Sequence, residues 1–137
     1  MKKQILTLVG VLSLMLVAGS AFAQNMNLTA DIPFNFVLQK QSLPAGHYTI
    51  KAMGDGVLAV QGENGKPVAM ILTHSIESAR PAEHSKLVFQ RYGDRYFLAQ
   101  AWATGTSAGI ELPKSARESE VAMDTRPEQV IVLASLR

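Results

Sequence analysis

The chain has 137 residues, 47% of them hydrophobic, with 13 Lys and Arg, 11 Asp and Glu and no Cys. Without cysteine no disulfide can supplement the core, which for an exported chain fits a bacterial envelope better than a small eukaryotic secreted scaffold. Two of the 13 basic residues, Lys2 and Lys3, fall in a leader, so the other 114 residues carry 11 basic against 11 acidic groups; with no dense Lys or Arg run, this excludes the basic stripe that nucleic-acid binding requires.

Met1-Lys2-Lys3-Gln4 forms a short positive segment, Ile5 to Val17 an apolar one, and Ala21-Phe22-Ala23 an A-x-A cleavage site. That order is the pattern of a secretory signal peptide. The expectation is a signal peptide over 1–23, a single β-rich domain over 24–137, and a periplasmic or extracellular destination. The apolar run is too short to span a bilayer comfortably, so no transmembrane anchor is expected after processing. One domain of 114 residues buries about two-thirds of the surface its unfolded chain exposes, which is enough for one core.

Ile32, Phe34, Phe36 and Leu38 alternate with Pro33, Asn35 and Val37, a strand pattern with Pro33 at an edge or start. Leu43-Pro44-Ala45-Gly46 leads into a second run, Tyr48 to Met53, and a Tyr just after a Gly-containing corner resembles the tyrosine corner of β-sandwiches. Tyr48 is therefore expected to be structural. Val57 to Gln61 and Pro67 to Thr73 flank Glu63-Asn64-Gly65-Lys66, whose Asn-Gly pair is a strong hairpin signal. Polar residues and Pro81 predict a surface loop from Ser75 to Ser85.

The clearest hairpin runs from Lys86 to Ala103 around Gly93-Asp94, with Gly in the first turn position as a type II′ turn requires. This register sets Arg91 opposite Tyr96, within reach of a cation–π contact. It predicts a core face of Leu87, Phe89, Tyr96, Leu98 and Trp102 and an outer face of Lys86, Gln90, Tyr92, Arg95 and Phe97. Ser115-x-x-Glu118 has capping-box spacing and predicts a helix over about Ala116 to Met123, ending before Pro127. Gln129 to Leu136, rich in β-branched residues, predicts a buried closing strand. Together these elements predict an all-β domain, an antiparallel β-sandwich or flattened barrel of about seven strands with one short helix in the C-terminal half.

Motifs with chemical associations are few. Gly105-Thr106-Ser107-Ala108-Gly109 spells the G-x-S-x-G elbow of α/β-hydrolases, but no helix signal follows it directly, and His47, His74 and His84 all precede Ser107, against that fold's order. His74, His84, Glu77 and Glu83 share a loop without metal-ligand spacing, and Glu118 and Glu120 at i, i+2 do not face each other on a helix. Asn27-Leu28-Thr29 matches the glycosylation acceptor pattern, which a three-residue match reaches by chance. No catalytic, cofactor-binding or metal residue is assigned.

Leu43-Pro44-Ala45-Gly46-x-Tyr48, Leu87-Val88-Phe89-x-Arg91-Tyr92-Gly93-Asp94-Arg95-Tyr96-Phe97-Leu98-x-Gln100-x-Trp102 and Glu111-Leu112-Pro113-Lys114-Ser115 together resemble a group of small, exported, uncharacterised bacterial β-rich proteins. The resemblance implies export and a single domain, and brings no catalytic or ligand residues. The functional expectation is a non-catalytic exported domain that binds a protein or envelope partner through Tyr92, Arg95 and Phe97 at the hairpin tip, since Tyr and Arg are favoured in binding hot spots. The alternatives are a carrier holding an apolar molecule in a barrel cavity and, last, a hydrolase.

Overall fold

The computed structural model describes residues 26–54 and 56–136, so the expected signal peptide over 1–23 lies outside the described residues. Among the described residues twelve strands and one helix follow in chain order: β1 (Asn27–Ile32), β2 (Phe36–Leu38), β3 (Gln41–Leu43), β4 (Gly46–Ala52), β5 (Val57–Gln61), β6 (Pro67–Leu72), β7 (His74–Glu77), β8 (Lys86–Tyr92), β9 (Arg95–Trp102), β10 (Ala108–Glu111), α1 (Ala116–Asp124), β11 (Glu128–Leu133) and β12 (Ser135–Leu136). Seven of the strands have five or more residues, and these are the ones a periodic pattern can announce. The short ones extend the sheets without a pattern of their own.

The strands form two sheets. The first has the order β12-β1-β4-β5-β6; the second has β11-β8-β9-β10-β7, with β2 against β9 and β3 against β2. Nearly all pairs are antiparallel, the exception being β2 beside β9 at Val37 and Phe97. The chain steps from the first sheet to the second between β1 and β2 and again between β6 and β7, and back between β3 and β4 and between β11 and β12. The ladders stop at these steps, so the fold is a β-sandwich, not a closed barrel. Its interior is filled by side chains: Leu28, Ile32, Ile50, Leu58 and Val60 from the first sheet meet Phe36, Leu38, Leu87 and Phe89 from the second, all essentially inaccessible. Phe36 packs edge-on against both Tyr48 and Phe89. Full burial of one such ring contributes about 1.5–3 kcal/mol.

Several expected elements are redrawn. The run Ile32 to Leu38 is two strands, because Pro33 has no N–H for the ladder and Asn35 turns its carboxamide oxygen to accept from the Ala45 backbone at 3.0 Å. Its alternation survives, since Ile32, Phe36 and Leu38 are core residues and Phe34 packs against them. Within the expected 75–85 loop, His74–Glu77 forms a strand on β10. It is an edge strand with only Ile76 partly buried, too polar to show a period. The closing strand is not buried: Ile131 is 51% and Leu133 65% exposed, because β11 lies at a sheet edge and covers the core with one face only. In the β5–β6 turn only Gly65 takes a positive φ, and the loop closes through Gly62 N–H to Lys66 C=O in place of a two-residue turn.

The β8–β9 hairpin keeps its expected turn. Gly93 has φ +60 and Arg91 stands opposite Tyr96, with its guanidinium 5.6 Å from the ring centroid. Further along, Val88 pairs with Gln100 but Phe89 with Leu98, leaving Ala99 as a bulge. One extra residue reverses the side-chain alternation beyond it. Trp102, expected in the core beside Leu87, therefore stands opposite Lys86 on the outer face of the second sheet.

Candidate functional site

The expected partner surface does not form at the hairpin tip. Tyr92 and Phe97 are each only 2% exposed and pack edge to face. They do occupy the outer face of the second sheet, as their register requires, but α1 lies across this end of it. The helix starts at Ser115, whose hydroxyl accepts from the Glu118 N–H at 3.2 Å. A capping box turns the Glu side chain back to the cap N–H. Here the Glu118 carboxylate instead accepts from the Tyr92 hydroxyl at 2.9 Å, and the residue is 5% exposed. Burial pushes the Glu118 carboxyl above its ordinary range, opposed by the Tyr92 hydrogen bond and the Lys114 ammonium. Burial, then the hydrogen bond and charge of Glu118, push Tyr92 up to about 12. This pair clamps the helix to the sheet. Of the three expected contact residues only Arg95 remains exposed, in a cleft shared with Asp94, Arg117 and Glu120.

Tyr48 lies where the corner motif demands. Its hydroxyl donates to the Pro44 carbonyl at 2.6 Å and its ring is buried against Phe36.

The other end of the same outer face holds an open groove of about 470 Å³, within the range of small-molecule sites. Its floor comes from three adjacent strands: Gln100 and Trp102 of β9, Lys86 and Val88 of β8, and Gln129, Ile131 and Leu133 of β11. The far wall is the 78–84 loop, contributing Arg80, Pro81, Glu83 and His84. That loop is pinned to the β9–β10 turn. Ser78 N–H donates to Ser107 C=O at 2.8 Å, Ala82 N–H to Thr106 C=O at 2.9 Å, and Gly105 N–H to Ala82 C=O at 2.9 Å. The Thr104 hydroxyl adds a bond to the Glu83 carbonyl, and the buried Ser85 hydroxyl accepts from the Thr104 N–H. Trp102 is held just as firmly. Its indole N–H donates to the Gln100 carboxamide at 3.0 Å, Gln100 in turn donates to Glu111, and its ring lies over Gly109.

These contacts give the G-x-S-x-G segment a structural explanation. Gly105 has φ +79, and a Cβ on Gly109 would stand 2.6 Å from the Trp102 ring. A strand, β10, follows in place of the helix that a nucleophile elbow needs. Among the histidines, His47 pairs with Asp31 at 2.7 Å on the exposed face of the first sheet, His74 is on β7, and His84 is on the groove wall. Among the described residues no three His, Asp or Glu side chains gather as metal ligands. No helix among them is long and apolar enough to cross a membrane.

Sequence reasoning missed the groove because its two determinants leave no periodic trace. The Ala99 bulge brings Trp102 to the outer face, and the loop that walls the groove approaches through backbone hydrogen bonds that any sequence can make. No protein-family model, no curated protein and no solved structure matches the chain.

Proposed function

We propose that this chain is an exported, non-catalytic β-domain that binds a protein or other envelope component, and that it does so at the groove between the 78–84 loop and β11. The leader pattern and the resemblance to exported β-rich proteins support export. The observation that carries the binding site is the exposure of Ile131 and Leu133 beside a rigidly walled groove floored by Val88 and Trp102. Single exposed apolar residues are ordinary, but a contiguous apolar strip next to a preformed concavity marks an interaction site. A carrier enclosing its ligand between the sheets is disfavoured, since Phe36, Phe89 and the leucines around them fill that space.

The test is native mass spectrometry of the protein recovered gently from its own cells, compared with a variant carrying Ile131→Asp and Leu133→Asp. Added mass, of a protein or a small molecule, that disappears in the variant is the expected result. Bare protein in both samples, or the same adduct in both, removes the groove as the binding site.

A further inference from the structure

We infer that the groove takes a single-chain amphiphile with an anionic head, its hydrocarbon along the β8–β11 floor and its head at the loop wall; this rests on the binding reading above and names its ligand class. Ile131 and Leu133 expose apolar surface along β11, with Val88, itself only 2% exposed, opposite Ile131 in the β8–β11 ladder and Lys86 opposite Leu133. Lys86 lies between Leu133 and Trp102, which stands opposite it on β9. Lys86 on the floor and Arg80 on the loop supply two positive charges and His84 an imidazole, against one acidic lining residue, Glu83. Among the described residues neither Arg80 nor Lys86 has a carboxylate within ion-pair distance, so both charges are available to a ligand.

That complementarity selects the occupant. A cationic amphiphile meets like charge from Arg80 and Lys86, and a purely apolar chain leaves both facing it unpaired. The wall is fixed by its bonds to the β9–β10 turn, so binding does not have to order a loop first.

Trp102 is the only tryptophan, so its emission reports on the groove directly. The chain expressed from its full coding sequence is titrated with monomeric dodecanoate, with dodecyltrimethylammonium, and with vesicles of phosphatidylethanolamine and phosphatidylglycerol. The expected result is a saturable emission shift with dodecanoate at roughly tenfold lower concentration than with the cation, from two partly exposed charge contacts. Arg80→Ala with Lys86→Ala removes that preference, and Leu133→Asp removes the dodecanoate response, while both variants keep the wild-type unfolding midpoint. Equal response to the two head groups, no response to dodecanoate, or response to vesicles alone overturns the inference. If the native mass spectrum shows a groove-dependent protein partner while dodecanoate fails, only the ligand class falls; if both fail, the groove itself is not a binding site.

Discussion

Two tyrosine hydroxyls hold different parts of this molecule. Tyr48 ties the entry of β4 to the Pro44 carbonyl, and burial raises the pKa of its hydroxyl. Tyr48→Phe is expected to lower stability by about 0.5–1.5 kcal/mol, the usual net value of one intramolecular hydrogen bond. An unchanged midpoint of urea unfolding would show that the corner bond contributes nothing. Tyr92 is the more consequential of the two, since its partner is a buried acid. Tyr92→Phe leaves Glu118 without its donor and is expected to cost about 1–3 kcal/mol. Both groups have folded-state pKa values above their unfolded values, so each contributes stability that is complete below its unfolded pKa and is lost as pH rises through its folded one. For Glu118 the window starts at the ordinary carboxylate value and extends upward; for Tyr92 it runs from 10.0 to about 12. Wild type should therefore gain stability relative to Glu118→Gln as pH falls from neutrality into the carboxylate range, and lose stability relative to Tyr92→Phe between pH 10.0 and about 12. Unfolding midpoints of the three proteins across pH decide both, and a wild-type difference that stays flat in either window refutes the corresponding assignment.

At the scale of elements, the β8–β9 hairpin is the organiser. Its inner face supplies Leu87, Phe89 and Leu98 to the sandwich core, and its outer face is divided between α1 at the turn end and the 78–84 loop at the open end. The Ala99 bulge makes this division possible by sending Leu98 inward and Trp102 outward along the same strand. Gly109 on β10 is the counterpart of that choice, because the indole rests on its bare α-carbon. Gly109→Ala sets a methyl 2.6 to 2.7 Å from three ring carbons and is expected to destabilise by about 1–3 kcal/mol, the range for overpacking. The same variant should change the emission of Trp102, because the ring has to move. A stable variant with wild-type emission would mean that the ring does not lie on this glycine.

For the whole molecule, two sheets joined by strands that step between them bury one core and leave two outer faces of different character. The outer face of the first sheet carries the Asp31–His47 pair toward the end of the β1–β4 ladder and Met70 and Leu72 at its β6 edge. The outer face of the second sheet has a helix, a pinned loop and a groove between the loop and β11. Cleavage of the expected leader over residues 1–23 makes a direct prediction. Protein recovered from the cell envelope or medium should have an intact mass that begins at Gln24, because Ala21 and Ala23 occupy the two small-residue positions of the cleavage site. A recovered chain retaining Met1 to Ala23 would mean an anchor in place of a leader.

What the sequence by itself determined was whatever local chemistry decides. The alternation of Leu87 and Phe89, the Gly93-Asp94 turn, the Ser115 cap and the corner at Tyr48 each depend on a few neighbouring residues, and all are present where the pattern put them. Tertiary structure decided which faces are covered. Tyr92 and Phe97 belong to a strand face that also carries Lys86, Gln90 and Arg95, so periodicity marks it as solvent-facing. Only the arrival of α1, distant in sequence, buries half of it. In the same way Ile131 and Leu133 read as core but lie at an edge with nothing above them, and Trp102 crosses the sheet because one residue bulges. Periodicity specifies that a strand has two sides; which side meets another element depends on contacts between segments far apart in the chain, and those contacts leave no local signal.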